Sequence, residues 1–197
     1  MTYPQFFDTI ETIKVKDSLC ELLGAFGTYE FNYLEIVKAA GHSCPTVAGA
    51  YLMTLEALKD LYPNESAVRG NIKVEFAEDL EDGVAGVIGN VVSQITGATD
   101  KSGFKGLQGK FARHSLMHYN AGINASARFT RIDTGVSVSV DYDHSSVPAN
   151  PSMMPLMQKL MTGVATPHEQ KEFGELWQDR VKRIFENKDA VVSVKTN

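Results

Sequence analysis

Cysteine is scarce in this sequence: among 197 residues there are two, Cys20 and Cys44. Two thiols cannot build the disulfide framework of a small secreted domain, and a chain of this length buries about 70% of its unfolded surface without such a staple. Long apolar runs are missing as well; no window approaches 18 consecutive apolar residues, which excludes a membrane-spanning helix. Excess positive charge is also absent. Nineteen Lys and Arg face 24 Asp and Glu, a net charge of −5, and no basic stripe gathers anywhere, so nucleic acid and anionic membrane surfaces are not expected partners. The opening MTYPQFFDTIETIKVKD carries acids early and has no cationic stretch leading into an apolar one. A cytoplasmic chain with reduced thiols is expected.

What is present is the composition of one globular domain over residues 1–197, 43% hydrophobic and 22% charged. Leu19, Leu22, Leu23 and Phe26 repeat at helical spacing and predict a helix over 17–26; a second, 34–40, stops at Gly41. Pro45 suits the first turn of a third, 46–61, with Val47, Ala50, Tyr51, Leu55 and Leu58 on its core face. Alternation in NIKVEF predicts a strand at 71–76, and the small, apolar run at 84–96 predicts a buried helix. Residues 97–110, with four glycines and three lysines, read as a shaped loop. Three strands follow at 110–118, 125–132 and 136–143, as a meander, the last with Val136, Val138, Val140 and Tyr142 on one face. A helical extension over about 151–188 closes the chain, Met-rich at 152–161 and amphipathic at 167–187 around Trp177. Those two stripes offer more apolar surface than a small sheet needs, so a homodimer is expected.

The sharpest chemical feature is His42-Ser43-Cys44-Pro45. Imidazole and thiolate both suit zinc, iron or copper, a spacing of two lets both reach one ion from one turn, and the positive end of the following helix favours an anionic sulfur. The same residues also read as a capping turn with a buried thiol. His114 and His118 are the available further ligands; on a strand they stand about 13 Å apart, so at most one can join His42 and Cys44. Gly97, Lys101, Gly103, Phe104, Lys105, Gly106 and Gly109 lack the order of a phosphate-binding loop and are better read as the wall of a small-molecule pocket. A Cys-Pro pair with Met and His nearby also permits haem, and Cys44 paired with a histidine would permit nucleophilic catalysis on a small carbonyl or C1 substrate.

At AGHSCPTVAGAYLM the sequence resembles the FmdE family of formylmethanofuran dehydrogenase proteins, whose hallmark is a G-H-x-C-P segment opening a helix of small residues. The likeness continues through VVSQITGATDKSGFKGLQGKFAR and covers about residues 33–145. It implies an α+β fold with a mixed, largely antiparallel sheet packed against helices, its core running α-β-α-β-β-β. It also implies a transition metal, often zinc, with nickel or iron as alternatives, held partly by His42 and Cys44. Many relatives carry further cysteines where this chain has Val87-Ile88-Gly89 and Thr96-Gly97-Ala98-Thr99, and a cysteine-rich tail that it lacks. The resemblance therefore leaves His114 and His118 to complete the ion, in a protein accessory to C1 or redox metabolism.

Overall fold

The computed structural model describes residues 3–197, which form an α+β fold. A small sheet has the order β2-β1-β3, from β1 (Ile13–Lys16), β2 (Thr28–Phe31) and β3 (Ala67–Val68); β1 runs antiparallel to β2 and parallel to β3. The larger sheet uses β4 (Ile72–Phe76), β5 (Met117–His118), β6 (Ala127–Arg131), β7 (Ser137–Tyr142) and β8 (Val192–Thr196), in the order β5-β4-β6-β7-β8. Only β5 pairs in parallel. The helices are α1 (Ser18–Leu22), α2 (Tyr33–Ala40), α3 (Pro45–Leu61), α4 (Ala85–Thr96), α5 (Met153–Met161), α6 (Pro167–Glu186) and α7 (Lys188–Val191). No described helix is long and apolar enough to cross a membrane.

The larger sheet has one dry face and one wet one, because side chains alternate along each strand. Met117, Val74, Phe129 and Val138 lie in register and buried on the inner face, as do Phe76, Ala127 and Val140. Lying on that face, α3 also packs on α4 and α6. Thirteen of its 17 residues are buried, each large apolar one contributing about 1.5–3 kcal/mol. Its polar atoms are satisfied internally: Thr54 Oγ1 donates to Ala50 O, and Tyr51 Oη donates to Glu11 O and Phe31 O. The outer face is polar, with His118, Glu75, Arg128, Ser139 and Lys195 in one row across all five strands.

Several expected elements take a different form. The helix expected over 17–26 ends at Leu22, leaving Leu22, Leu23 and Phe26 exposed, so their helical spacing marks no core stripe. Of the strand expected over 110–118 only Met117–His118 survives, because Phe111 and Ser115 adopt positive φ (62° and 57°) and break the extended run. The alternation in IKVK forms β1 and that in VSVKT forms β8, both outside the predicted strands. The Trp177 stripe of α6 is consumed within the chain: Val181 and Ile184 are buried, and Trp177 and Phe185 pack against the core.

A buried charge cluster joins the small sheet to the rest. Asp17 caps α1, accepting from the Leu19 and Cys20 amides, and also accepts from Arg69 Nη1 (2.9 Å) and Arg113 Nη2 (2.7 Å). Arg69 in turn donates to the Gln94 and Ile95 carbonyls near the end of α4. Burial pushes the Asp17 carboxyl up, but the Cys20 N–H and the two guanidinium groups outweigh it and hold the carboxyl below its ordinary range. We expect Asp17→Asn to cost about 3–5 kcal/mol, since it strands two arginines on a neutral partner. Urea unfolding checks this. The folded carboxyl ionises more readily than the unfolded one. Its stabilisation is therefore fully present above about pH 4 and lost as pH falls through the folded value, so the wild-type and Asp17→Asn stabilities converge in acid.

Candidate functional site

Between α2 and α3 the chain makes one short turn, and each of its residues is held by a different part of the fold. Gly41 ends α2 in the left-handed region (φ 78°), which reverses the chain without a Cβ clash. The exposed His42 lies with Nδ1 3.0 Å from Ala40 O. Cys44 takes an extended N-cap conformation, and its Sγ accepts from Val47 N at 3.4 Å. Pro45, at the first helical position, has no N–H to satisfy.

Ser43 is fastened at both its hydroxyl and its carbonyl. Its Oγ donates to Gln178 Oε1 (3.1 Å) and so accepts from Tyr33 Oη (3.0 Å). Its carbonyl accepts from Trp177 Nε1 at 2.8 Å, with Gln178 Nε2 3.4 Å away. Tyr142 Oη donates to Pro45 O at 2.7 Å. The Tyr142 ring lies on α3 over Gly49, where a Cβ would come within 2.2 Å of it, so only glycine admits the tyrosine. Burial pushes the Tyr33 and Tyr142 hydroxyls well above the ordinary phenol range. Both remain protonated donors at neutral pH.

The four expected ligands do not come together as one set. His42 borders a depression of about 210 Å³ between α2 and α4, with Ala39, Ala40, Asn90 and Gln94 among its walls. Cys44 is 8% exposed and belongs to the core. His118 stands on the outer face of the sheet, in register with Glu75, whereas α3 and Cys44 lie on the inner face. His114 sits in the loop before β5, its Nδ1 3.1 Å from Ser115 Oγ. Among the described residues no three of His, Cys, Asp and Glu are placed to hold one ion. A closed zinc cage takes four protein ligands and a catalytic site takes three. Two donors from one turn fit, at most, an open site completed by ligands from outside the chain.

The glycine loop is folded on itself. Thr99 N donates to Arg113 O, Leu107 and Lys110 pair as a small antiparallel bridge, and Arg113 anchors the stretch to Asp17. Gly97, Lys101, Gly103, Phe104, Lys105, Gly106 and Gly109 line neither the depression beside His42 nor the larger cleft near the α3 start. That cleft, of about 440 Å³, lies instead among the first turns of α3 and α4 and the ends of β4 and β7. Sequence reasoning missed the residues that fasten the turn. Trp177 and Gln178 lie 134 and 135 positions from Ser43, and their contacts carry no local signal. The face of Tyr142 on β7 follows from the alternation, but its bond to Pro45 O, 97 positions away, does not.

One family model matches the chain over residues 39–193: FmdE, described as molybdenum formylmethanofuran dehydrogenase operon. No curated protein matches the chain. The matched span opens just before His42 and takes in α3, β4 to β7 and α6, so it contains the turn and the Trp177, Gln178 and Tyr142 side chains that fasten it, but not Tyr33.

The fastening predicts a measurable effect. Trp177→Phe keeps the packing but leaves the Ser43 carbonyl one donor short, at a cost of about 1–3 kcal/mol. Alkylation of Cys44 by iodoacetamide should accelerate with it, because the turn that covers the sulfur opens more often. Mass spectrometry of the modified peptide measures that rate.

Proposed function

The chain belongs to the FmdE family, and from that premise we propose that it acts at the start of α3 as an open transition-metal site. His42 and Cys44 supply two ligands, and a small molecule or solvent supplies the others. The observation that supports this is the seat of His42. The Ala40 carbonyl engages Nδ1 and leaves Nε2 free, which is how a backbone acceptor orients a metal-binding imidazole. Zinc, iron and nickel all accept a nitrogen and sulfur pair. A bound ion would supply an electrophilic centre for a carbonyl or C1 ligand.

The chain's own residues do the positioning. Tyr33, Trp177 and Gln178 hold the Ser43 peptide still between the two donors, and Tyr142 holds the Pro45 carbonyl just beyond them. A turn pinned in this way presents its donors with little loss of freedom on binding. The family description places its members with the operon of formylmethanofuran dehydrogenase, and an accessory role in C1 or redox metabolism is the setting that accords with it. A homodimer is part of the same proposal, formed through α5, where Met154 and Met161 remain exposed beside Val164. Light scattering that returned a monomer mass would remove that part alone.

The experiment is metal uptake by protein purified without a histidine tag. After incubation with zinc and gel filtration, elemental analysis should find about one equivalent. His42→Ala and Cys44→Ser should each abolish uptake, whereas His114→Ala and His118→Ala should leave it unchanged. Undiminished uptake by Cys44→Ser would overturn the site. A Soret band in freshly purified protein would assign the cysteine to haem instead.

A further inference from the structure

The 440 Å³ cleft near the start of α3 is a second feature, with a chemistry of its own. Its floor is apolar and comes from three elements: Met53 of α3, Phe76 of β4, and Ala85 with Ile88 of α4. Met53 and Phe76 are 0% and 2% exposed, so the floor is part of the core surface and is fixed in place. The volume lies within the range of small-molecule sites. Its rim carries Glu78, Asp141 and Asp143, and no Lys or Arg lines it.

Among the described residues none of the three carboxylates forms an ion pair. Asp141 Oδ1 accepts from the Ser126 amide and hydroxyl. Asp143 accepts from the Ser145 amide and hydroxyl. These are neutral donors and leave both charges in place. His144, also on the rim, does not offset them: burial and the Arg180 guanidinium hold its imidazole below the ordinary range, so it is neutral at pH 7. Three negative charges over an apolar floor create a local field that draws cations and repels anions. They are also too dispersed to act as a metal site, since among the described residues no three acidic or imidazole groups gather on one point.

We propose that this cleft binds a small organic cation, with a primary ammonium at the Glu78, Asp141 and Asp143 rim and an apolar body on the Met53, Phe76 and Ile88 floor. An ammonium needs only one carboxylate in contact while the other two add to the field around it, whereas a metal ion needs several ligands at once. Free anionic C1 compounds such as formate are the wrong charge for this chamber and would have to reach the Cys44 turn by another route. A free amine and the lysine side chain of a partner share the required chemistry.

The test is a titration followed by amide chemical shifts at low ionic strength, with phenethylammonium and 3-phenylpropionate as a pair of similar size and opposite charge. Phenethylammonium should bind more than about tenfold tighter than the carboxylate. Glu78→Gln and Asp143→Asn should each weaken it by about fivefold, and added salt should weaken it further. Glu78 lies on an exposed loop, so its variant tests the charge without disturbing the core. Ile88→Trp, which fills the floor, should abolish binding. Nα-acetyl-lysinamide as a third titrant identifies the source, a partner's lysine if it binds tighter and a free amine if it binds weaker. Equal binding of the carboxylate would overturn the proposal. So would ammonium binding that survives both Ile88→Trp and the acid variants, stoichiometric calcium binding at the rim, or no phenethylammonium binding at about 10 mM. The zinc experiment probes His42 and Cys44 only, so either result can stand without the other.

Discussion

A helix start leaves amide groups without partners, and burying that start removes the water that would otherwise serve them. In α3 this constraint organises everything around it. Proline at the first position removes one donor, and the Cys44 sulfur, directed inward, takes up the Val47 amide. His42, two residues before Cys44, lies exposed at the surface, with the Ser43 peptide between them. That peptide lies against α6, so it too has to find partners inside the protein, and the indole of Trp177 provides one. The turn is therefore shaped first by the need to satisfy a buried helix end, and any ligand-binding role is added to a geometry that the fold already requires.

Much of the scaffold was legible in the sequence because it is written in local periodicity. The alternation of β4, the spacing of α3 and the amphipathic stripe of α6 around Trp177 each need only local sequence to be recognised. Short strands were harder. The four residues of β1 alternate, but a run so short gains its conformation from partners in β2 and β3. The stretch before β5 misled because Phe111 and Leu116 suit a strand, while the left-handed residues there answer to tertiary contacts that no propensity records.

The candidate site divides in the same way. That His42 and Cys44 share a turn follows from their spacing, and the family match includes that turn. Whether more distant histidines join them depends on which side of a sheet they occupy. For His118 a shift of a single position in register would have reversed the answer. As it stands, its neighbours are Glu75 and the ion pairs that Glu75 makes with Arg128 and Lys73. The two cavities near the turn also differ in kind. One holds an imidazole over a shallow depression, while the other combines a dry floor with unpaired acids, so a neutral or anionic partner at the first need not compete with a cationic one at the second.

The cluster around Asp17 bears on how the chain reaches this state. Its two ion pairs span 52 and 96 positions of sequence, and both arginines must arrive before the carboxylate is fully compensated. Contacts so far apart repay the entropy of closing their loops only late, which slows folding. Until they form, the small sheet is held only by the core contacts of Ile13, Val15 and Ala67 and by the Tyr51 hydroxyl. The natural order is collapse of α3 onto the larger sheet, followed by docking of the segment that carries β1 and β2 through Ile13 and Val15, the Tyr51 hydroxyl and the Asp17 carboxylate. In the folded protein, loosening that one carboxylate frees β1 and the end of α4 from each other together.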